Sequence, residues 1–305
     1  MQKGILIIDY GSQYTQLIAR RIREQKVYCE IHPFNKIPKK LINSLNPSGI
    51  ILSGGPNSVL NQKSPKLSPV IQNLNIPILG ICYGLQLLSL IHKGNIKKSS
   101  SREYGFAKIK VIRKSKIIPK EWVNKNASVW MSHGDHVSKA PKDFIVTALS
   151  SNKIIAIIEN KKRNIYGLQF HPEVHHTYLG YKIIKNFIFK ICKVKNNWII
   201  KSFIKRKVQE LKNIIGNNKV ICGLSGGVDS SVVAYLLHKA IGNNLYCIFV
   251  DHGFLRKNES QEVTKYYKQK FKKNFIRIDS SNLFFKKLKN ISDPEDKRKI
   301  IGKAF

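Results

Sequence analysis

Three side chains in the first two-thirds of the chain have the types and spacing for nucleophilic chemistry. Cys82 lies in GICYG, flanked by glycines, where an apolar run gives way to a helical stretch. A strand–turn–helix of this kind lifts its central side chain out of the sheet on a strained turn. The helix N-terminus beneath the sulfur favours thiolate, and neighbouring backbone N–H groups can hold an oxyanion. A thiolate needs a base, and the base needs a group to orient it. FHPEV supplies both: His171 and Glu173 are two apart in an extended segment and project to one face, while Pro172 keeps His171 out of helical geometry. Each residue alone has a plainer explanation: a buried thiol, a hydrogen-bonded histidine, a solvated acid. Together, and with the free backbone of SGGP at 53–56, they point to nucleophilic catalysis.

A second chemical loop lies downstream. In SGGVDSS, Ser225, Gly226, Gly227, Val228, Asp229, Ser230 and Ser231 follow an apolar run and precede a helix. Backbone N–H groups and three hydroxyls there face an anion at a helix N-terminus. The loop lacks the lysine of a Walker A sequence, so γ-phosphate transfer is not expected. Asp229 is suited to a Mg²⁺ ion that bridges phosphates. A cysteine nucleophile upstream and a nucleotide-phosphate loop downstream describe a coupled enzyme. One part releases a small group, and the other spends ATP to install it.

The elements that must position these residues read as alternating strands and helices. Apolar runs at 4–10, 48–55 and 76–82 are predicted to be buried parallel strands, with helices at 14–25 and 83–92. Further strands are expected around 105–113, 127–131, 144–149, 153–159 and 164–170, then a helix over 181–190. A linker at 192–198 divides a first domain, 1–194, from a second, 195–305. The second opens with a helix near 199–215 and carries strands at 220–225, 245–251 and 275–279, with helices after the first two and another from Pro294. The fold class is therefore α/β, and the second domain reads as an incomplete parallel sheet whose last strand is an unprotected edge.

Composition narrows the class. A chain of 305 residues with 42% hydrophobic residues has room for two cores. No run approaches the ~18 apolar residues of a membrane span, and Ile5–Ile8 is too short for a signal-peptide core, so the cytoplasm is expected. Cys29, Cys192, Cys222 and Cys247 show no paired spacing and read as buried hydrophobes. The net charge of +36 invites a nucleic-acid reading. Against it, lysine far outnumbers arginine, Ile and Asn are also abundant as AT-rich codons dictate, and the lysines are scattered. Specific nucleic-acid binding is not expected, although a positive field favours anionic substrates.

GICYGLQ, SGGP and FHPEV resemble the class I, triad-type glutamine amidotransferases across nearly all of residues 1–195. The resemblance implies a flavodoxin-like domain in which Cys82 attacks the glutamine amide, His171 is base and then acid, and Glu173 orients it. It further implies Gly55 and Tyr83 as oxyanion-hole backbone positions and Gln86 as a glutamine contact. In MSHGD, His133 and Asp135 would shape the site. SGGVDSS resembles the loop of the ATP pyrophosphatases, which adenylylate a carbonyl oxygen and release pyrophosphate. There the Val250 backbone, in VDHG, would lie near adenine, with Asp251 either a metal or a structural group.

The combination, with VDHGFLR and DPEDKRKIIG, resembles the glutamine-hydrolysing GMP synthases. That family implies ATP, Mg²⁺, glutamine and XMP as partners, and a homodimer. Arg298 matches an XMP contact, and an exposed helix cation is its plain rival. Family members continue past this helix with the remaining sheet and an XMP-binding, dimer-forming domain. The alternatives are therefore a glutaminase subunit or an inactive synthetase fragment, and, in another class, a non-catalytic basic binding protein.

Overall fold

A computed structural model describes residues 4–123, 125–196 and 198–305, apart from the side chains of residues 99–102 and 201; Asn197 of the expected linker is outside this set. The chain divides into two compact units, Met1–Trp198 and Ile199–Phe305.

In the first unit the elements run β1 (Ile5–Asp9), α1 (Thr15–Glu24), β2 (Cys29–Pro33), α2 (Lys39–Leu45), β3 (Gly49–Leu52), α3 (Pro69–Gln72), β4 (Ile78–Ile81), α4 (Tyr83–Ile91), β5 (Asn95–Val111), β6 (Asn126–Lys139), β7 (Ile145–Ser150), β8 (Ile155–Asn160), β9 (Ile165–Leu168) and α5 (Gly180–Asn186). Among the described residues they build one sheet in the order β2-β1-β3-β4-β9-β8-β7-β5-β6. The β2-β1-β3-β4-β9 half is parallel; the rest is antiparallel.

The continuous apolar runs of the parallel half follow from burial on both faces. Ile5, Ile7, Ile51, Leu79 and Ile81 pack with Ile18 and Ile22 of α1 and with Ile183 and Ile184 of α5. Leu6, Ile8, Ile50, Leu52 and Ile78 pack with Leu85 and Leu88 of α4. A strand between two helical layers has no solvent face, so its polar alternation disappears. Each fully buried isoleucine contributes roughly 1.5–3 kcal/mol over exposure.

Where the structure departs from the expected elements, the reasons are local. The strands expected around 105–113 and 127–131 are parts of two much longer ones, β5 and β6. β6 alternates strictly, with Ala127, Val129, Met131, His133, Asp135 and Val137 buried. His133 and Asp135 occupy inward positions that an apolarity pattern assigns to loop. β2 was not anticipated because it is a sheet-edge strand, CEIHP, with only Cys29 fully buried. The helix expected over 181–190 begins as α5 and widens into a π turn over Phe187–Ile191, which buries Phe187, Ile188 and Ile191.

The second unit runs α6 (Ile200–Ile215), β10 (Val220–Leu224), α7 (Val228–Ile241), β11 (Leu245–Asp251), α8 (Glu259–Phe271), β12 (Phe275–Asp279), α9 (Ser281–Leu288) and α10 (Pro294–Ala304). Its parallel sheet has the order β10-β11-β12. Cys222, Leu224, Cys247 and Phe249 pack with Ala234 and Leu237 of α7 and Tyr267 and Phe271 of α8. Among the described residues no helix is long and apolar enough to cross a membrane.

Candidate active site

Cys82 sits between β4 and α4 as the N-cap of α4, with φ 51° and ψ −103°. A non-glycine residue at positive φ costs roughly 1–2 kcal/mol, so the surroundings must impose the turn. Two glycines do so. A Cβ on Gly84 would lie 2.6 Å from the Leu52 carbonyl oxygen, and one on Gly80 would lie 2.5 Å from Gly84 itself. Only without those carbons can the first turn of α4 rest directly on β3 and β4. The Cys82 N–H is tied to the Leu168 carbonyl at 2.7 Å, so the turn is held by β9 as well.

The chain leaving β9 continues into His171. The His171 N–H donates to the Trp130 carbonyl at 3.0 Å, and its own carbonyl accepts from the Thr177 hydroxyl at 2.6 Å. Nδ1 of His171 lies 2.7 Å from Oε1 of Glu173. Both side chains are buried, and the Glu173 carbonyl accepts from Nε of Arg21 at 3.0 Å. The imidazole also approaches Cys82: a Cβ on Gly54 would be 3.0 Å from its Cε1 and 3.7 Å from the Cys82 Cβ. Burial disfavours a charged ring, but Glu173 and the Cys82 sulfur outweigh it and hold His171 well above the usual histidine range. The other four cysteines have thiols pushed up by burial, Cys29 and Cys247 to about 11.

Cys82 opens onto a cavity of about 550 Å³, lined also by Gly55, Tyr83, Gln86, His133 and Asp135. All six were singled out in the sequence, and the structure brings them together. Gln86 on α4 donates from Nε2 to the Asp135 carbonyl at 2.7 Å, which joins α4 to β6. Tyr83 is the first residue of α4, a position whose N–H has no intrahelical acceptor, and Gly55 follows the end of β3. Sequence reasoning passed over four residues here. Ser58 hydrogen-bonds to Oδ2 of Asp135, Glu103 faces His133, Ser132 presents its carbonyl 3.5 Å from the Cys82 sulfur, and Gln169 places Nε2 3.9 Å from that sulfur. Gln169 was findable, since it stands two before His171 and two more before Glu173. Glu103 carried no local signal, because its partner is thirty residues away.

In the second unit Ser225–Asp229 are exposed and Ser230 and Ser231 half-buried at the N-terminus of α7, which has no side-chain cap. Gly226 adopts φ 81°. Ser225 Oγ accepts from the Gly227 N–H at 3.2 Å, the Ser225 N–H reaches Ser230 Oγ at 3.3 Å, and Ser231 Oγ donates to the Gly227 carbonyl at 2.6 Å. An uncapped fourteen-residue helix behind a glycine turn fits a phosphate group. Among the described residues no three acidic, His or Cys groups gather as a metal cage. Asp229 alone fits Mg²⁺ of the kind held mainly by phosphate oxygens.

Val250 is half-buried on β11, away from the α7–α8 layer. Asp251 accepts from Ser260, from Arg277 at 2.7 Å and from the Gly253 N–H at 3.1 Å. Burial opposes its charge, but these bonds hold its carboxyl below the usual range, which is a structural role. Arg298 is exposed on α10 and pairs with Glu295 at 2.6 Å.

Residues 6–191 match the family described as glutamine amidotransferase class-I. The chain belongs to that family. Residues 198–299 match the family described as NAD synthase. Over 305 residues it is 48% identical to the GMP synthase [glutamine-hydrolyzing] of Carboxydothermus hydrogenoformans, covering all of this chain and 59% of that protein. It is 49% identical over 301 residues to the protein of that name from Oceanobacillus iheyensis, covering 58% of it. The chain thus spans somewhat over half the length of these relatives. A solved structure from Thermoplasma acidophilum, provisionally described as one subunit of a GMP synthase, superposes with a TM-score of 0.54 at 30% identity, covering 68% of this chain and 98% of that one.

Proposed function

We propose that the chain carries the glutamine-hydrolysing and nucleotide-binding parts of a GMP synthase. The observation that carries this reading is Cys82 in the wall of a cavity of about 550 Å³, with the His171 imidazole buried close to it and bonded to Glu173. In this reading Cys82 Sγ, its proton on His171, attacks the glutamine carboxamide carbon. The oxyanion that forms is met by the backbone N–H groups of Gly55 and Tyr83. His171 returns the proton to the nitrogen, the C–N bond breaks, and ammonia leaves a glutamyl thioester on Cys82. Water then attacks the thioester with His171 as base, and glutamate departs. Glu173 holds the ring throughout and stabilises its charged form. Gln86 contacts the glutamine.

The second unit supplies the use of ammonia. Ser225–Ser231 would cradle ATP phosphates on the α7 N-terminus, Asp229 would hold Mg²⁺, and the Val250 backbone would lie beside adenine. A Mg²⁺ ion held there would neutralise phosphate charge. ATP adenylylates the purine C2 oxygen of XMP with release of pyrophosphate, and ammonia displaces AMP to give GMP. Arg298 would contact XMP once its pair with Glu295 opens. A cytoplasmic homodimer completes the reading.

A glutaminase subunit is the second reading, favoured by one observation: this chain covers 98% of the Thermoplasma acidophilum structure described as one subunit of a GMP synthase. Two assays separate them. The first is ammonia release from glutamine; the second is GMP formation from XMP, Mg-ATP and ammonium ions, which bypasses Cys82. Product in both assays supports the full reading. Ammonia release without GMP leaves the glutaminase, and neither product sinks both.

A further inference from the structure

Cys82 borders a second cavity. The larger one, described above, runs to Gln86 and Asp135. A smaller one of about 290 Å³ is lined by the Gly11–Tyr14 turn between β1 and α1, and by His171. Among the described residues the two share Gly55, Pro56, Cys82 and Ser132, and His171 borders the smaller cavity alone. The turn is tied down by its own side chains. Oδ1 of Asp9 accepts from the Gly11 N–H at 2.9 Å and from the Thr15 hydroxyl at 2.8 Å, and the Ser12 hydroxyl accepts from the Tyr14 N–H at 3.1 Å. These bonds set the Tyr14 ring against His171, with centroids 5.1 Å apart and planes at 73°. Nδ1 of His171 is committed to Glu173, so the edge-to-face contact with Tyr14 is a second restraint on where the imidazole points.

On the glutaminase reading of Cys82, His171 serves both halves of the reaction. It protonates the departing nitrogen, and it then takes a proton from the incoming water. Nitrogen and water must therefore stand in turn at one position, on the His171 side of the carbonyl carbon. The body of glutamine, in contact with Gln86, lies in the larger cavity and leaves the smaller one clear. We infer, resting on that reading, that the Gly11–Tyr14 cavity admits the nucleophile that cleaves the glutamyl thioester, and that Tyr14 is the positioning residue for His171 there. In this step the water oxygen bonds to the thioester carbon and one water proton passes to His171. The C–S bond breaks, which leaves Cys82 as thiolate and the product with a free carboxyl group. An amine nucleophile entering by the same cavity gives the corresponding amide, with its proton again passing to His171.

The test supplies hydroxylamine or the bulkier N-methylhydroxylamine to the 305-residue chain with glutamine, and measures glutamyl hydroxamates against glutamate. Tyr14→Ala widens the cavity and frees the imidazole. Capture by N-methylhydroxylamine relative to hydroxylamine is expected to rise at least about threefold and kcat to fall about tenfold, with KM for glutamine within about twofold of wild type. Gln13→Trp, at an exposed position in the same wall, narrows the cavity and is expected to lower that capture ratio. Tyr104→Ala, which borders the larger cavity alone, is expected to do the converse, changing KM and leaving the ratio as it was. The inference is overturned if Tyr14→Ala and Gln13→Trp both keep the wild-type ratio, or if Tyr104→Ala moves it instead. A wild-type chain that makes neither ammonia nor hydroxamate from glutamine sinks the glutaminase reading itself, and this inference with it.

Discussion

Glu103 on β5 faces His133 on β6 across 3.2 Å, and together they form a second buried carboxylate–imidazole pair, of which His133 lines the cavity that Cys82 opens onto. Its electrostatics run opposite to those of the His171–Glu173 pair. Burial holds His133 below the usual histidine range despite the pull of Glu103, whereas His171 lies well above it. Below the ordinary histidine value of ~6.5 the unfolded chain takes up a proton that buried His133 resists, so stability falls with pH down to the depressed folded value. His133→Gln is expected to flatten that acid limb in denaturant titrations at a series of pH values. An unchanged limb would contradict it.

For His171 the sign is reversed. Its folded form binds the proton more tightly, so its contribution is fully present below about pH 6.5 and is lost as pH rises through the raised folded value. Glu173→Gln removes one attraction that holds the proton and moves that loss to lower pH. The expected result is a variant destabilised most on the acid side of neutrality, with ammonia release from glutamine reduced by roughly two to four orders of magnitude.

Cys82→Ala is expected to abolish glutamine-dependent turnover and to spare ammonia-dependent turnover in any complete assembly. Equal loss of both would refute the division of labour. Because position 82 has φ 51°, Cys82→Gly relieves strain that Cys82→Ala retains. The glycine variant is expected to be the more stable of the two by about 1 kcal/mol in thermal or denaturant unfolding.

Much of this site was legible because its signals were local. GICYG contains both Cys82 and the glycines that seat it, and FHPEV contains His171 and its partner Glu173 two residues apart. The two helical layers around β1, β3 and β4 were legible as unbroken apolar runs. The antiparallel half was less so, since β6 buries His133 and Asp135 where apolar residues would have announced a strand. Ser58 and Glu103 were invisible for a different reason: each acts through a partner far along the chain, Asp135 and His133 respectively. The edge strand β2 offered no run at all.

Gly84→Ala is expected to be far more damaging than its size implies. The added carbon would meet the Leu52 carbonyl at 2.6 Å, where backbone has little room to yield. A loss of about 1–3 kcal/mol in unfolding free energy is expected, with reduced glutamine hydrolysis as Cys82 shifts. Retention of both would show that α4 can lift off the sheet without cost.

Asp229→Asn is expected to weaken Mg-ATP use, read as pyrophosphate release, and to leave basal ammonia release from glutamine unchanged. Loss of glutamine hydrolysis in this variant would tie the loop to the first unit's chemistry instead.

The joining of a parallel half to an antiparallel half within one sheet has a consequence for how such a site can diversify. The parallel strands lead into the Cys82 turn and into His171, while much of the cavity wall is drawn from the β5–β6 hairpin. Reactivity and molecular fit are thus written on separate stretches of sequence that meet at the Gln86–Asp135 hydrogen bond. Substitutions in the hairpin can reshape what the cavity accepts without disturbing the turn that exposes sulfur. Natural or laboratory variation in substrate choice has a ready place to accumulate there.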